Sequence, residues 1–182
     1  PRPIPQNLQQ LGREVIQGYF LTISNLSNRD VDLVITFRIL SDPDDPSDPS
    51  NPGEIRFTRN NVSAFWDFNG KNESISFTPQ SPRRRNYTIE LPAQDTGLLI
   101  VQPNPRKIDT NPVSEIEIRG FVEVSEPSNV NGDQINILLT PEHRGTFFKR
   151  VTDPGGTTTG FEQLDQIVYS LPTANGGSLF SL

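Results

Sequence analysis

The 182 residues contain no cysteine, so neither a disulfide nor a thiolate-held metal can contribute to the fold. Methionine is absent too, and the chain begins at Pro1; removal of an initiator methionine or a longer leader is the expectation. Histidine and tryptophan occur once each, as His143 and Trp66. No apolar run approaches the ~20 residues that a membrane-spanning helix needs. Hydrophobic residues make up only 32% of the chain, which suits strands that bury one face and wet the other. Positive charge is also short: 16 Lys and Arg against 22 Asp and Glu leave a net charge of −6. Phosphate backbones are bound through clustered positive charge, so nucleic acid is not an expected partner.

Catalytic signatures are missing as well. There is no Gly-x-Ser-x-Gly elbow, no phosphate loop and no dinucleotide fingerprint. Without cysteine, a nucleophile would have to be serine, threonine or a carboxylate. His143 lies in Thr140–Gly145 (TPEHRG), which reads as a turn with a surface ion pair; a hydrolase built on His143 is the remote alternative. Glu115 and Glu117 share one strand face. Glycosidases draw their two carboxylates from different elements, so this pair reads as wetting and edge protection. Neither an enzymatic activity nor a cofactor is expected. Asn25, Asn61, Asn72 and Asn86 match the glycosylation sequon, which matters only in a secreted eukaryotic protein.

What the chain does have is alternation. From Glu14 to Leu40, Val15, Tyr19, Leu21 and Ile23, then Val31, Leu33, Ile35, Phe37 and Ile39, all fall on odd positions. Successive side chains of a strand point to opposite faces, so this is the mark of half-buried strands. Residues 24–30 (SNLSNRD) carry turn chemistry. Direct pairing would place Ile23 opposite Val31, Leu21 opposite Leu33 and Tyr19 opposite Ile35; a Greek-key arrangement separates the two strands instead.

The same rhythm recurs downstream. Ile55 and Phe57 mark a short strand. Val62–Gly70 and Ser74–Thr78 read as a hairpin around a type I′ turn at Asn69-Gly70, with Ile75 and Phe77 inward. Tyr87, Ile89 and Leu91 form a strand, and Leu98–Val101 one covered on both sides. Residues 115–125 alternate again, and Gly120 within them predicts a bulge or a close backbone approach. Their partner is expected at Ile135–Leu139, with Val124 opposite Ile135 and Val122 opposite Ile137. Residues 146–151 and 167–171 complete the strands, and 153–160 (DPGGTTTG) reads as a loop. Many short strands separated by turns predict an all-β, two-layer antiparallel sandwich with long proline-rich loops. At the level of fold this resembles the immunoglobulin-like and jelly-roll class.

Three parts are expected: an extended arm over 1–13, one sandwich domain over 14–171, and a flexible tail over 172–182. Residues 42–53 repeat proline every third position. Asp42, Asp44, Asp45 and Asp48 within them are candidate calcium ligands. An extended polyproline segment would hold equivalent carboxylates ~9 Å apart, too far for one ion, so a stiff solvated loop is the preferred reading. The arginines in 79–85 (PQSPRRR) read as a solvated turn. Leu179, Phe180 and Leu182 either dock on their own domain or insert into another, which makes them candidate partner-binding residues. Trp66, with Phe65, Phe68 and Tyr87, is either core packing or a sugar-stacking platform. The leading expectation is a non-catalytic interaction or structural module that binds a protein partner or assembles with itself. A carbohydrate-binding module using Trp66, Phe65 and Tyr87 is the alternative.

Overall fold

The computed structural model describes residues 14–39, 62–81, 84–104, 118, 120–127, 134–152 and 158–182. The proline-triplet segment with Asp42, Asp44, Asp45 and Asp48, the arm over 1–13, Ile55 and Phe57, and Glu115 and Glu117 lie outside the described residues. The described residues form eleven strands and no helix, in two antiparallel sheets packed face to face. Among the described residues no helix is long and apolar enough to cross a membrane.

The strands are β1 (Glu14–Asn25), β2 (Val31–Ile39), β3 (Val62–Phe68), β4 (Lys71–Ile75), β5 (Thr78–Ser81), β6 (Arg84–Leu91), β7 (Thr96–Pro103), β8 (Gly120–Ser125), β9 (Asn136–Thr152), β10 (Thr158–Ser170) and β11 (Leu179–Ser181). The larger sheet has the order β10-β9-β1-β7-β3-β4, with β11 also on β9; the smaller has the order β5-β6-β2-β8. Alternation decides which residues share the interior. Leu21, Ile23, Leu99, Val101, Ile137 and Leu139 line the larger sheet's inner face. Val31, Leu33, Ile35, Phe37, Tyr87, Ile89 and Leu91 line the smaller sheet's inner face, and all are buried in one cluster. Each such side chain contributes roughly 1.5–3 kcal/mol on leaving water.

The direct hairpin expected between the first two strands does not form. β1 pairs with β7 and β9, whereas β2 pairs with β6 and β8 in the other layer. Likewise β8 does not pair with β9, so Val124 and Val122 face the core without Ile135 and Ile137 as strand neighbours. Odd positions turned toward a shared interior satisfy the same burial whether the strands lie side by side or face each other across the layers. The alternative that separates the two strands into different sheets is the one realised.

Other local expectations appear in place. Asn69 and Gly70 both have positive φ, at 51° and 71°, and close the β3–β4 turn as a type I′ pair requires. At Gly120, a Cβ would collide with the Arg38 carbonyl, which is the close approach that its position within a strand implied. Thr140–Gly145, by contrast, is no turn but the middle of β9, the longest strand at 17 residues.

Pro141 explains how that strand is partnered. Its carbonyl accepts from the Leu171 N–H at 2.9 Å, so its main chain faces the β10 side, where it has no N–H to offer. The partner chain leaves the ladder there, runs out through 172–177, and rejoins when Leu139 N–H donates to the Ser178 carbonyl at 2.8 Å. The end of the expected tail, residues 178–182, is therefore docked on β9, with Leu179–Ser181 as a strand. Ile135 and Leu182 exchange both main-chain bonds at 3.1 and 3.0 Å, and Phe180 and Leu182 pack on the core.

One buried amide ties the two layers at one end. Asn25, 1% exposed, donates from Nδ2 to the carbonyls of Arg29 (2.8 Å), Pro92 (2.9 Å) and Leu91 (3.2 Å). Its Oδ1 accepts from the Ser27 N–H at 3.0 Å and from the Ser27 hydroxyl. Both connections it joins, β1 to β2 and β6 to β7, cross from one sheet to the other. Replacing Asn25 with alanine takes this donor from the buried Leu91 carbonyl and the part-buried Arg29 and Pro92 carbonyls and is expected to cost about 2–3 kcal/mol. Urea unfolding should show this as a lower midpoint with an unchanged slope; a loss under ~0.5 kcal/mol would remove the amide from its linking role.

Candidate interaction surface

The smaller sheet does not cover the whole of the larger one. Tyr19 meets Phe37 edge-on at 5.3 Å, and this contact marks the limit of the overlap at the start of β1. Beyond it, the first half of β1, the second half of β9 and all of β10 continue as an overhang. Gly145 sits in its middle on the inner face. A Cβ there would meet Gln17, Ile167 and Val15 side chains at 3.0–3.3 Å, so these three close over the glycine.

Aromatic rings lead from the core onto this overhang. Phe77, Tyr87, Phe37, Tyr19, His143 and Tyr169 form successive edge-on contacts, with centroids 5.3–6.4 Å apart. Register explains the outer members: Tyr19, His143 and Tyr169 are cross-strand neighbours on β1, β9 and β10. His143 Nδ1 lies 2.9 Å from the Tyr169 hydroxyl. Burial pushes the His143 imidazole below its ordinary value and pushes the Tyr19 phenol up.

The overhang exposes apolar surface on both faces. Val15 (45% exposed), Ile167 (39%) and Tyr169 (40%) lie on the inner side, and Val168 (58%) on the outer. Leu164, the extra residue where the β9–β10 register shifts, is 40% exposed. β10 is also the sheet's edge. Odd residues of β9 turn their main chain toward β10 and β11, as the bonds at Ile135, Leu139 and Pro141 show. Tyr169, Ile167 and Asp165 therefore bond inward, whereas Gln166, Val168 and Ser170 present theirs to the open edge. Gln166 N–H is capped by its neighbour, Asp165 Oδ1, at 2.7 Å. The opposite edge, β4, shows polar Lys71, Asn72, Glu73 and Ser74.

The residues singled out from the sequence do not come together. Trp66 and Phe65 are successive residues of β3 and face opposite sides. Trp66 packs on the core, lies parallel to Phe68 at 6.1 Å, and rests on Gly97, where a Cβ would strike its ring. Phe65 lines the outer face beside Ile100 and Phe20, over which the Arg144 guanidinium stacks at 4.6 Å. Tyr87 is 1% exposed in the other sheet, its phenol pushed up by burial and partly held back by Arg85. Of the tail residues, Phe180 and Leu182 are taken up by their own domain and Leu179 stays exposed. A depression of about 190 Å³ lies elsewhere, lined by Arg29, Asp30, Asp32, Glu90, Leu91 and Glu126, without His143. There Arg29 holds the Glu126 carboxylate through two bonds, at 2.5 and 2.9 Å. Among the described residues no group of three His, Asp or Glu side chains is placed to hold a metal.

The overhang was not visible beforehand, because Val15, Ile167 and Tyr169 carry the same alternation as core residues. Comparison with protein-family models, curated proteins and solved structures found no match.

His143 also makes a measurable link between pH and stability. Its folded proton affinity is lower than the ordinary 6.5 of the unfolded chain. Unfolded chains therefore bind the proton first; this share of stability is complete above 6.5 and is lost as pH falls toward the folded value. Between about pH 7.5 and about pH 5, the urea midpoint of the native chain should fall further than that of His143→Gln. Equal pH dependence in the two would show that the imidazole is not held neutral by the fold.

Proposed function

We propose that this chain is a non-catalytic β-sandwich module that works through protein–protein contact, self-assembly included, with the β10 edge as its contact element. One observation carries the reading: an edge strand of 13 residues whose outer side has no strand partner among the described residues, with apolar side chains exposed on both faces. Such edges accept an extended segment by strand addition, in which main-chain bonds supply affinity and alternate side chains supply selectivity. Native edges are otherwise blunted by charge, proline, bulges or shortness. β10 has a bulge at Leu164 and acids at Glu162 and Asp165, yet Ile167, Val168 and Tyr169 beyond them are left without such protection. The tail supports the reading differently from its expected role: β11 completes the β9 ladder, so the open edge is β10 rather than the chain end.

Val168→Pro tests this. The Val168 N–H faces the open edge, so proline removes a donor from the contact side and leaves the β9 ladder intact. With native and variant chains as tagged baits in cells of the source organism, chains co-recovered with the native protein should drop about tenfold or more with the variant. An unchanged far-ultraviolet circular dichroism spectrum would confirm that the variant is folded. Equal recovery by the two baits would take β10 out of the contact.

A further inference from the structure

The geometry points to a second copy of this chain as the occupant of the β10 edge, paired antiparallel across a two-fold axis at Val168. This rests on the contact reading above and names its partner. A two-fold contact must be self-complementary, since the same strand supplies both sides. Only Gln166, Val168 and Ser170 turn their main chain outward in the regular part of β10, so hydrogen-bonded pairs must join these residues among themselves. That leaves few registers, and the side chains discriminate among them.

With Val168 opposite Val168, Gln166 faces Ser170, and Ile167 of each copy faces Tyr169 of the other. The most exposed apolar residue of the edge then meets itself, the inner-face residues Ile167 and Tyr169 cover one another, and polar meets polar. The two Asp165 carboxylates lie at opposite ends of the paired segment, each opposite Leu171. A slip of the axis to Ile167 sets Asp165 against Tyr169, and a slip to Gln166 sets it against Ile167. A slip to Tyr169 sets Val168 against Ser170. The first two slips bring the Asp165 charge inside the paired segment against an apolar ring or side chain, and the third sets a hydroxyl against Val168; the axis at Val168 leaves its one charge-to-apolar pair, Asp165 with Leu171, at the ends of the segment.

Charge agrees with an antiparallel copy. β10 carries Glu162 and Asp165 and no basic residue, so a parallel, in-register copy would stack like charges. The antiparallel axis keeps them apart. On the inner side, Ile167 already covers Gly145 beside Gln17 and Val15. Pairing would extend that apolar row across the axis and shelter the aromatic path that ends at Tyr169.

The chain has no cysteine, so one introduced thiol reports one position. Facing residues of a hydrogen-bonded antiparallel pair sit ~5.5 Å apart at Cα, within disulfide reach. Under mild oxidation the purified Val168→Cys variant should link into covalent dimers at least about tenfold faster than Asn72→Cys on the exposed β4 edge, because pairing holds its sulfurs in reach. Sedimentation of the native protein over rising concentration should approach twice the monomer mass, and Val168→Pro should weaken that association about tenfold or more. A native protein that stays monomeric, or equal linking rates at the two positions, overturns the proposal. If the native protein is monomeric but recovery of a different chain still depends on Val168, the contact reading survives and the second copy does not. Loss of both ends the two readings together.

Discussion

Two pleated layers of unequal width share one dry interior, and the rest of the molecule follows from that inequality. Where they overlap, Leu21, Ile23, Leu99 and Ile137 pack on Leu33, Ile35, Ile89 and Leu91, and burial is nearly complete. Where they do not, the same alternation on the same strands places apolar residues in water. A sandwich has no means of covering the surplus except another layer, another strand or another molecule. The edge-on contact of Tyr19 with Phe37 lies at this boundary, with core on one side and overhang on the other.

Two polar devices hold the layers in this arrangement. At one end, Asn25 satisfies carbonyls from both crossing connections, and the Arg29–Glu126 pair adds a charged clasp beside it. In a low-dielectric interior such an amide specifies one geometry, because any other leaves acceptors without donors. At the other edge, Pro141 withholds a donor and interrupts the outer partner of β9, so β10 and β11 flank the same strand in succession. The break sends 172–177 outward and brings Phe180 and Leu182 back onto the core. Of the chain-end side chains read as candidate partner contacts, Phe180 and Leu182 are taken up by this return and Leu179 stays exposed.

The proposed contact edge and the open setting of His143 have one structural basis. Trp66, Tyr87 and Phe77 serve the interior or its rim. His143 is held between two tyrosines on an open sheet, away from the depression beside Arg29 and Glu126. What remains presented is a strand edge with no strand partner among the described residues and apolar side chains above and below it. Its chemistry suits another strand better than a small molecule, since the surface is long and nearly flat and its main-chain groups repeat at strand spacing.

Much of the fold was legible in the residues. Period-two alternation named most strands and their inward set, though not β5, β11 or the first part of β10; Asn69-Gly70 named its turn, and Gly120 signalled a bulge or a close approach, of which the close approach is seen. These are local properties, set by side-chain direction and by which backbone angles a residue tolerates. Neighbour choice was not legible: Leu21 and Leu33 turn inward equally well as members of one sheet or as facing layers, so the expected β1–β2 hairpin gave way to strands in different sheets. Pro141 and Gly145 suggested a turn, yet a long ladder absorbed both, because the proline's missing donor falls where its partner strand departs. Side-chain rhythm alone determined which way each residue points. Only the assembled layers decided which of those residues are covered, because cover depends on the width of the opposite sheet, a quantity that no single strand encodes.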